Sequence, residues 1–153
     1  MKESFTLRKK INEWFPDGTK NLASLSITSP IDWKYNCVAW AVGLNNTWLE
    51  PSPAGSWPVA HAGSSIDAYA VMFNHYGFVD AADGKKEKGL EKIVIYGDSA
   101  GNFLHVARQL ENGKWTSKLG GESDITHATP QTLAGKIYGT PLKYMARPKQ
   151  KAS

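Results

Sequence analysis

The residue with the clearest chemical potential is Cys37, the single cysteine in a chain of 153 residues. It follows Asn36, a residue type that caps helices, and precedes the apolar run VAWAVG. A thiol attacks as its thiolate, and its ordinary pKa of about 8.5 falls when a cation lies close. A helix dipole contributes only about 0.3–1 kcal/mol at an exposed site, so a nucleophilic Cys37 needs a histidine as well. The alternative is a buried apolar residue, since unpaired cysteines are among the most buried types.

His105 is the best placed of the four histidines. It lies early in a predicted strand, FLHVARQL (103–110), just after the small residues SAGN. Alternation along a strand predicts that His105 shares its face with Phe103, Ala107 and Gln109, and the small Ala107 leaves space for the Cys37 helix. The histidine spacings fit no zinc signature, so we expect no metal and no other cofactor.

The elements around these residues predict an α+β fold in one domain, residues 1–153, with helices first and an antiparallel sheet second. Residues 1–30 form an amphipathic helix (5–15) and a polar connector in this interpretation, and the basic tail, 147–153, is disordered. DITH (124–127) is interpreted as a loop. The remaining predicted elements are a buried apolar helix at 37–44, a loop at 45–63, a helix from Ser64 to a C′ glycine at Gly77, strands at 92–96, 103–110, 115–120 and 139–146, and a short helix at 129–135.

A cysteine at the start of a short buried helix, followed by an antiparallel sheet that begins a strand with HVA, resembles the papain-like peptidase and amidase superfamily. NCVAWA is similar to the cysteine helix, and LHVARQL to the histidine strand, of its NlpC-type and CHAP branches. The resemblance implies a papain-like fold, in which the buried cysteine helix packs on an antiparallel sheet of about four strands. It also implies that Cys37 is the nucleophile and His105 its base. The stretches YNC-AWA and SKLG are also similar to those of an uncharacterised family of small bacterial proteins.

The resemblance further implies a polar residue that orients His105, about twelve positions later, which is Ser117 here. If Asn112-Gly113 is a two-residue turn, Ser117 lies on the wrong face. If residues 111–113 form a three-residue turn with Gly113 as a G1 bulge, Ser117 faces Ala107 on the His105 side, and we favour this turn. Asp124 is a second candidate, since a carboxylate stabilises an imidazolium better, and His127 is a third.

The same resemblance calls for hydrogen-bond donors to an oxyanion. The backbone N–H of Cys37 is one, and the nearest side-chain donors are Asn36 and Tyr35, although Asn36 is also needed as a helix cap. Trp48 and Trp57 lie in the 45–63 loop, where they either anchor the loop or line a substrate groove.

Two functions follow from these residues. The first is a cysteine hydrolase or acyltransferase that acts on an amide bond of a peptide, of peptidoglycan or of a side chain, for example as a bacterial cell-wall amidase or a toxin-like effector. An activated Cys37 of this kind would alkylate with iodoacetamide well below pH 7. The second is a non-catalytic papain-like domain that binds a peptide, glycan or protein partner through its tryptophan-rich loop.

Charge and hydropathy restrict the setting of either function. The net charge is +4, and the basic residues fall in three separate clusters, so nucleic acid is not an expected partner. No apolar run approaches the roughly 18 residues of a membrane span. The N-terminus, MKESFTLRKKINEWF, has no apolar region of a secretory signal, which predicts synthesis in the cytoplasm and leaves a dedicated secretion system as the route of export.

Overall fold

The structure is a computed structural model, which describes residues 25–27, 32, 34–51, 57–59, 63–119, 124–135 and 137–149. Within these ranges the fold is α+β, as predicted, with two helices beside one antiparallel sheet. The predicted helix at 5–15, most of the connector before Pro30 and the loop histidine His61 lie outside the described residues.

Within the described ranges the sheet has seven strands, and every pair of neighbouring strands is antiparallel. The prediction of about four strands was therefore too low. The four predicted strands are present, but two strands of three residues each lie at the edges, and DITH is a strand between two neighbours rather than a loop. The strands are β1 (Leu25–Ile27), β2 (Val79–Ala81), β3 (Leu90–Gly97), β4 (Phe103–Gln109), β5 (Trp115–Lys118), β6 (Asp124–His127) and β7 (Thr140–Pro148). Their order in the sheet is β1-β6-β5-β4-β3-β7-β2.

Helix α1 (Cys37–Ala41) begins as predicted, because the Asn36 side chain accepts a hydrogen bond from the backbone N–H of Ala39 at 3.1 Å. It ends earlier than the predicted residue 44, because the chain turns into the left-handed region at Gly43, with φ of 91°.

Helix α2 (Ile66–His75) is capped by Ser65, one residue beyond the predicted Ser64. The Ser65 hydroxyl accepts from the backbone N–H of Ala68 at 3.1 Å. The helix stops at the predicted C′ glycine, Gly77, whose φ is 93°. A short 3-10 turn, Pro130–Leu133, occupies the place of the predicted helix at 129–135.

The predicted disordered tail is wrong for its first residues, because β7 continues to Pro148. Arg147 is buried, and its Nε lies 2.8 Å from a carboxylate oxygen of Glu91. Its other two nitrogens donate to the backbone carbonyls of Tyr76, at 3.0 Å, and Val42, at 3.1 Å. A buried arginine whose three nitrogens each donate to an acceptor extends the strand instead of ending it.

Two apolar clusters cover the two sides of the sheet, because side chains alternate along each strand. We call the side that carries α1 and α2 the helix face; there Val106 packs with Ile93 and Ile95 against helical residues such as Val38. We call the other side the far face. It holds Val94, Tyr96, Ala107, Trp115, Leu119, Ile125 and Leu133.

A bulge at the start of β4 separates Phe103 from His105. Tyr96 pairs with His105 but Gly97 pairs with Phe103, so β4 carries one extra residue between them. Phe103 consequently stacks on Tyr69 of α2, with ring centroids 3.7 Å apart, whereas His105 lies on the far face. The prediction that Phe103 and His105 share a face is therefore wrong, since strict alternation does not hold across a bulge. The close approach also requires glycine at 97, where a Cβ would lie 2.5 Å from the carbonyl oxygen of Asn102.

Candidate functional site

Cys37 is the first residue of α1, which packs across β4 and β5 on the helix face, and its side chain is half-buried. Burial raises the pKa of the thiol to about 11, although hydrogen bonds from the backbone N–H groups of Val106, Val38 and Cys37 and the charge of Lys118 lower it. The resting thiol is therefore protonated at neutral pH. The helix start and its surroundings do not produce the low pKa that an activated cysteine has.

His105 is 1% exposed, and its Nε2 lies 3.0 Å from Ser117 Oγ in a hydrogen bond. Its Nδ1 is buried and meets no hydrogen-bond partner among the described residues, so no hydrogen bond joins it to the sulfur of Cys37. The two side chains lie on opposite sides of the sheet, since Cys37 packs with the helix-face cluster and His105 stacks on Tyr138 of the far-face cluster. The prediction that Ala107 leaves space for the Cys37 helix beside His105 is therefore wrong, because Ala107 also lies on the far face. Val106, the residue after His105, is on the helix face, and its backbone N–H lowers the pKa of the Cys37 thiol. Burial, and then the neighbouring His127, hold the pKa of His105 well below its ordinary range.

Ser117 reaches His105 because the β4–β5 connection is the favoured three-residue turn. Leu110 N–H donates to Lys114 O at 2.7 Å, and Gly113 has a φ of 85°, the left-handed conformation of a G1 bulge. The register pairs Arg108 with Thr116 and Gln109 with Trp115, which places Ala107 opposite Ser117 on the far face. The sequence-based prediction of this contact is confirmed.

The hydrogen bonds continue beyond Ser117 into a buried chain. Ser117 Oγ lies 2.8 Å from His127 Nε2, and His127 Nδ1 lies 2.8 Å from the backbone oxygen of Thr129. Burial lowers the pKa of His127 to about 4, so this ring is neutral at pH 7. His127 therefore belongs to the same network as His105. We refer to His105, Ser117, His127 and the Thr129 carbonyl as the imidazole relay.

Asp124 does not orient His105. It pairs with Lys118 in the β5–β6 register, one position away from Ser117, so it projects to the opposite side of the sheet. On the helix face its Oδ2 accepts a hydrogen bond from the hydroxyl of Tyr35 at 2.7 Å. The prediction of Asp124 as a partner of His105 is wrong because β6 was interpreted as a loop, for which no face could be assigned.

The two predicted side-chain oxyanion donors are engaged elsewhere. The hydroxyl hydrogen of Tyr35 goes to Asp124. The Asn36 amide caps α1, accepts from the backbone N–H of Leu49 at 3.2 Å and donates to the carbonyl of the same residue at 2.8 Å. Asn36 therefore ties the cysteine helix to the following loop, and the donors around the sulfur are backbone N–H groups.

Two residues near the site carried no local signal in the sequence. Lys118 is fully buried, donates to the carbonyl of Asp32 at 2.6 Å and lies 4.7 Å above the ring of Tyr35. Tyr138 stacks on His105 with ring centroids 3.9 Å apart and planes 4° from parallel. Burial and then Cys37 raise the pKa of Tyr138, which places this tyrosine within electrostatic range of both predicted catalytic residues.

The tryptophans of the predicted loop differ in their surroundings. Trp57 packs edge-on against Tyr69, at 5.0 Å between ring centroids, and burial followed by Cys37 raises the pKa of Tyr69 to about 12. Trp57 thus borders the same side of the fold as the thiol. Trp48 is half-buried and is not part of the apolar cluster that contains Trp57.

The described ranges hold no group of three or more His, Cys, Asp or Glu side chains arranged to bind a metal ion. In the same ranges no helix is long and apolar enough to cross a membrane.

Comparison with known proteins gives one match. No curated protein and no solved structure matches the chain. A family model described as a domain of unknown function (DUF7689) matches residues 26–146. This range is most of the chain and contains Cys37, the imidazole relay and Tyr138. The chain therefore belongs to the DUF7689 family.

Proposed function

We propose that this protein is a papain-like cysteine hydrolase or acyltransferase that cleaves or transfers an amide bond through Cys37 and His105. The observation that carries the proposal is the buried Nδ1 of His105, which meets no hydrogen-bond partner among the described residues. His105 is the neighbour in β4 of Val106, whose backbone N–H lowers the pKa of the Cys37 thiol. The other ring nitrogen of His105 is held by Ser117 on the neighbouring strand. Nucleophilic catalysis by a thiol requires a base that can accept the thiol proton. A histidine meets this requirement when one ring nitrogen is held by a hydrogen bond and the other has no hydrogen-bond partner.

In the proposed reaction the Cys37 sulfur attacks the carbonyl carbon, and the thiol proton passes to His105 Nδ1. His105 then gives this proton to the leaving amine as the C–N bond breaks, and a thioester remains on Cys37. Water or a second amine resolves the thioester, with His105 again acting as base.

The raised pKa of Cys37 defines the order of events. With a thiol pKa of about 11 and a depressed pKa on His105, the resting pair is neutral rather than a thiolate and an imidazolium. Proton transfer therefore accompanies the attack, as it does for a serine nucleophile with a histidine base. Because no hydrogen bond joins the two side chains at rest and they lie on opposite sides of the sheet, the proposal requires a rearrangement that brings the sulfur and Nδ1 to the same side.

The surroundings of the sulfur supply positive potential for the charge that develops. The backbone N–H groups of Cys37, Val38 and Val106 and the charge of the buried Lys118 lower the pKa of the thiol, which means that they favour its anionic form. Fixed donors in a buried site stabilise an oxyanion more than the same groups would in water.

The substrate class follows from the superfamily rather than from the site itself: a peptide, a peptidoglycan amide or a side-chain amide of a protein. Trp57, beside Tyr69, is the proposed wall of the groove. A bacterial effector or toxin, made in the cytoplasm and exported by a dedicated secretion system, is one setting for this activity.

An activated ester tests the proposed nucleophile and base without knowledge of the substrate. p-Nitrophenyl acetate should release nitrophenolate in a burst and leave an acetyl group on Cys37, detected by mass spectrometry. Cys37→Ala should abolish the acetylation, and His105→Ala should slow it by about 10²- to 10⁴-fold, the usual contribution of a general base. His75→Ala, at the exposed end of α2, is the matched control and should acylate like wild type. Wild-type rates in folded His105→Ala would refute the proposed pair.

The neutral thiol, which has no hydrogen bond to His105, also favours a second candidate, a non-catalytic papain-like domain that binds a peptide, glycan or protein partner. In that case Trp57 is a contact residue and Cys37 only fills space on the helix face. A Cys37→Ala variant that keeps the full biological effect, together with a Trp57→Ala variant that loses it, would support binding over catalysis.

A further inference from the structure

The imidazole relay orients His105 and also determines which nitrogen of each histidine ring carries a hydrogen. His105, Ser117 and His127 are each no more than 1% exposed, so bulk solvent does not compete for the hydrogen bonds of their side chains. The relay ends on a backbone carbonyl, that of Thr129, which can only accept a hydrogen bond. This end therefore determines the direction of every hydrogen bond before it.

The hydrogen positions follow one by one from the carbonyl. His127 Nδ1 must carry a hydrogen to donate to Thr129 O at 2.8 Å. Because burial keeps His127 neutral at pH 7, its Nε2 has a lone pair and accepts the hydroxyl hydrogen of Ser117. Ser117 Oγ can then only accept from His105, which must hold its hydrogen on Nε2. A neutral His105 with hydrogen on Nε2 has a bare lone pair on Nδ1.

The reverse assignment fails at both ends. A hydrogen on His127 Nε2 would leave the lone pair of Nδ1 facing the lone pairs of the Thr129 carbonyl at 2.8 Å. It would also place a hydrogen on His105 Nδ1, a buried N–H with no acceptor among the described residues. The Thr129 carbonyl is itself held in place, since the hydroxyl of Tyr96 donates to the adjacent Pro130 carbonyl at 2.6 Å.

We infer that His127 is a positioning residue, which acts through Ser117 to hold His105 as its Nε2–H tautomer and so keeps Nδ1 available as the base for Cys37. The tautomer itself depends only on the relay, and its part in the reaction rests on the proposed function. Position 127 was one of three candidates from the sequence for a direct partner of His105; the structure gives it an indirect role.

The tautomer can be read directly by NMR on the full chain. In protein labelled with ¹⁵N-histidine, long-range ¹H–¹⁵N correlations assign the protonated nitrogen of each ring. We expect His105 to be protonated at Nε2 in wild type, and a wild-type His105 protonated at Nδ1 would overturn the inference without any variant. In His127→Leu the Ser117 hydroxyl loses its acceptor and can donate to His105 Nε2 instead, so the Nδ1–H tautomer should become populated. His127→Gln keeps an oxygen acceptor near the former Nε2 and should restore the wild-type tautomer.

Acylation of Cys37 by p-nitrophenyl acetate provides the second readout. His127→Leu should acylate more slowly than wild type, in proportion to the fraction of His105 that NMR shows protonated at Nδ1, since that tautomer has no lone pair there and cannot act as the base. His127→Gln should recover the rate. Equal tautomers and equal rates in all three proteins would overturn the inference. If the tautomers change as expected while His105→Ala acylates like wild type, the relay stands and the proposed function fails.

Discussion

The reactivity of Cys37 toward iodoacetamide at different pH values is the most direct test of the environment of the thiol. The pH is varied so that the Cys37 thiol ionises, and the alkylation signal comes from this residue alone because the chain has a single cysteine. The sequence alone suggested fast alkylation below pH 7 if Cys37 is activated. The structure predicts the opposite for the resting protein, because burial raises the thiol pKa to about 11.

The size of the effect follows from the ionised fraction. At pH 7 a thiol of pKa about 11 is ionised to about one part in ten thousand. An ordinary thiol, of pKa about 8.5, is ionised to roughly 3%. Since the thiolate is the species that reacts, native Cys37 should label about 300-fold more slowly than Cys37 in the unfolded chain.

The assay compares native protein with the same protein in urea, with labelling followed by intact mass. In urea the logarithm of the rate should bend at about pH 8.5, whereas in the native protein it should keep rising by one unit per pH unit to about pH 10. Steric hindrance would lower the whole native curve but would not move its bend. This separates a raised pKa from simple inaccessibility.

A variant at Lys118 provides the matched check, because its charge lowers the pKa of Cys37. Lys118→Met, with a side chain of similar length and no charge, should label more slowly than wild type wherever it remains folded. A native profile that bends below pH 8, or native labelling faster than labelling in urea at pH 7, would refute the reasoning. It would indicate a thiolate already paired with His105.

Three further predictions concern stability and can be measured by urea unfolding. The folded-state pKa of His127 lies below its unfolded value, so its contribution to stability is present above about pH 6.5 and is lost as the pH falls to about 4. The loss of stability between these pH values is about 3 kcal/mol at most. His127→Gln has no group that titrates in this range, so this part of the acid dependence should disappear. An unchanged acid dependence in the variant would contradict the lowered pKa of His127. Arg147→Met should lower the free energy of unfolding by about 3 kcal/mol, because it leaves buried carbonyl acceptors unpaired. Lys149→Ala, which removes an exposed ion pair, is the control and should change it by less than about 1 kcal/mol. Equal losses in the two variants would argue against the buried network around Arg147. Tyr35→Phe should cost about 1.5–3 kcal/mol through the loss of its hydrogen bond to the buried Asp124, and a neutral result would show that this carboxylate is solvated.

Several features of the site could be predicted from neighbouring residues. Asn36 caps the cysteine helix, Gly77 ends α2, and Gly113 sets the turn that brings Ser117 to the His105 side of the sheet. Each of these depends on geometry within a few residues, where side-chain chemistry and the conformational freedom of glycine leave few alternatives.

Other features depend on residues distant in the chain, and no short window contains them. The edge strands β1 and β2 and the strand β6 exist because of their partners. The bulge at Gly97 decides that Phe103 and His105 face opposite sides, which reversed part of the prediction for His105. Burial of Lys118 and the stacking of Tyr138 on His105 likewise arise only when separate segments pack together.

The sequence by itself determined the α+β class, the helix that begins at Cys37 and the hairpin that pairs Ser117 with the His105 strand, because local hydrogen bonds and backbone conformations decide these. Only the tertiary structure decided that the thiol is neutral, that Asp124 bonds Tyr35 and that a carbonyl at Thr129 sets the hydrogens of two histidines. The reason is physical: the pKa of a group and the direction of its hydrogen bonds depend on burial and on partners that folding brings from elsewhere in the chain.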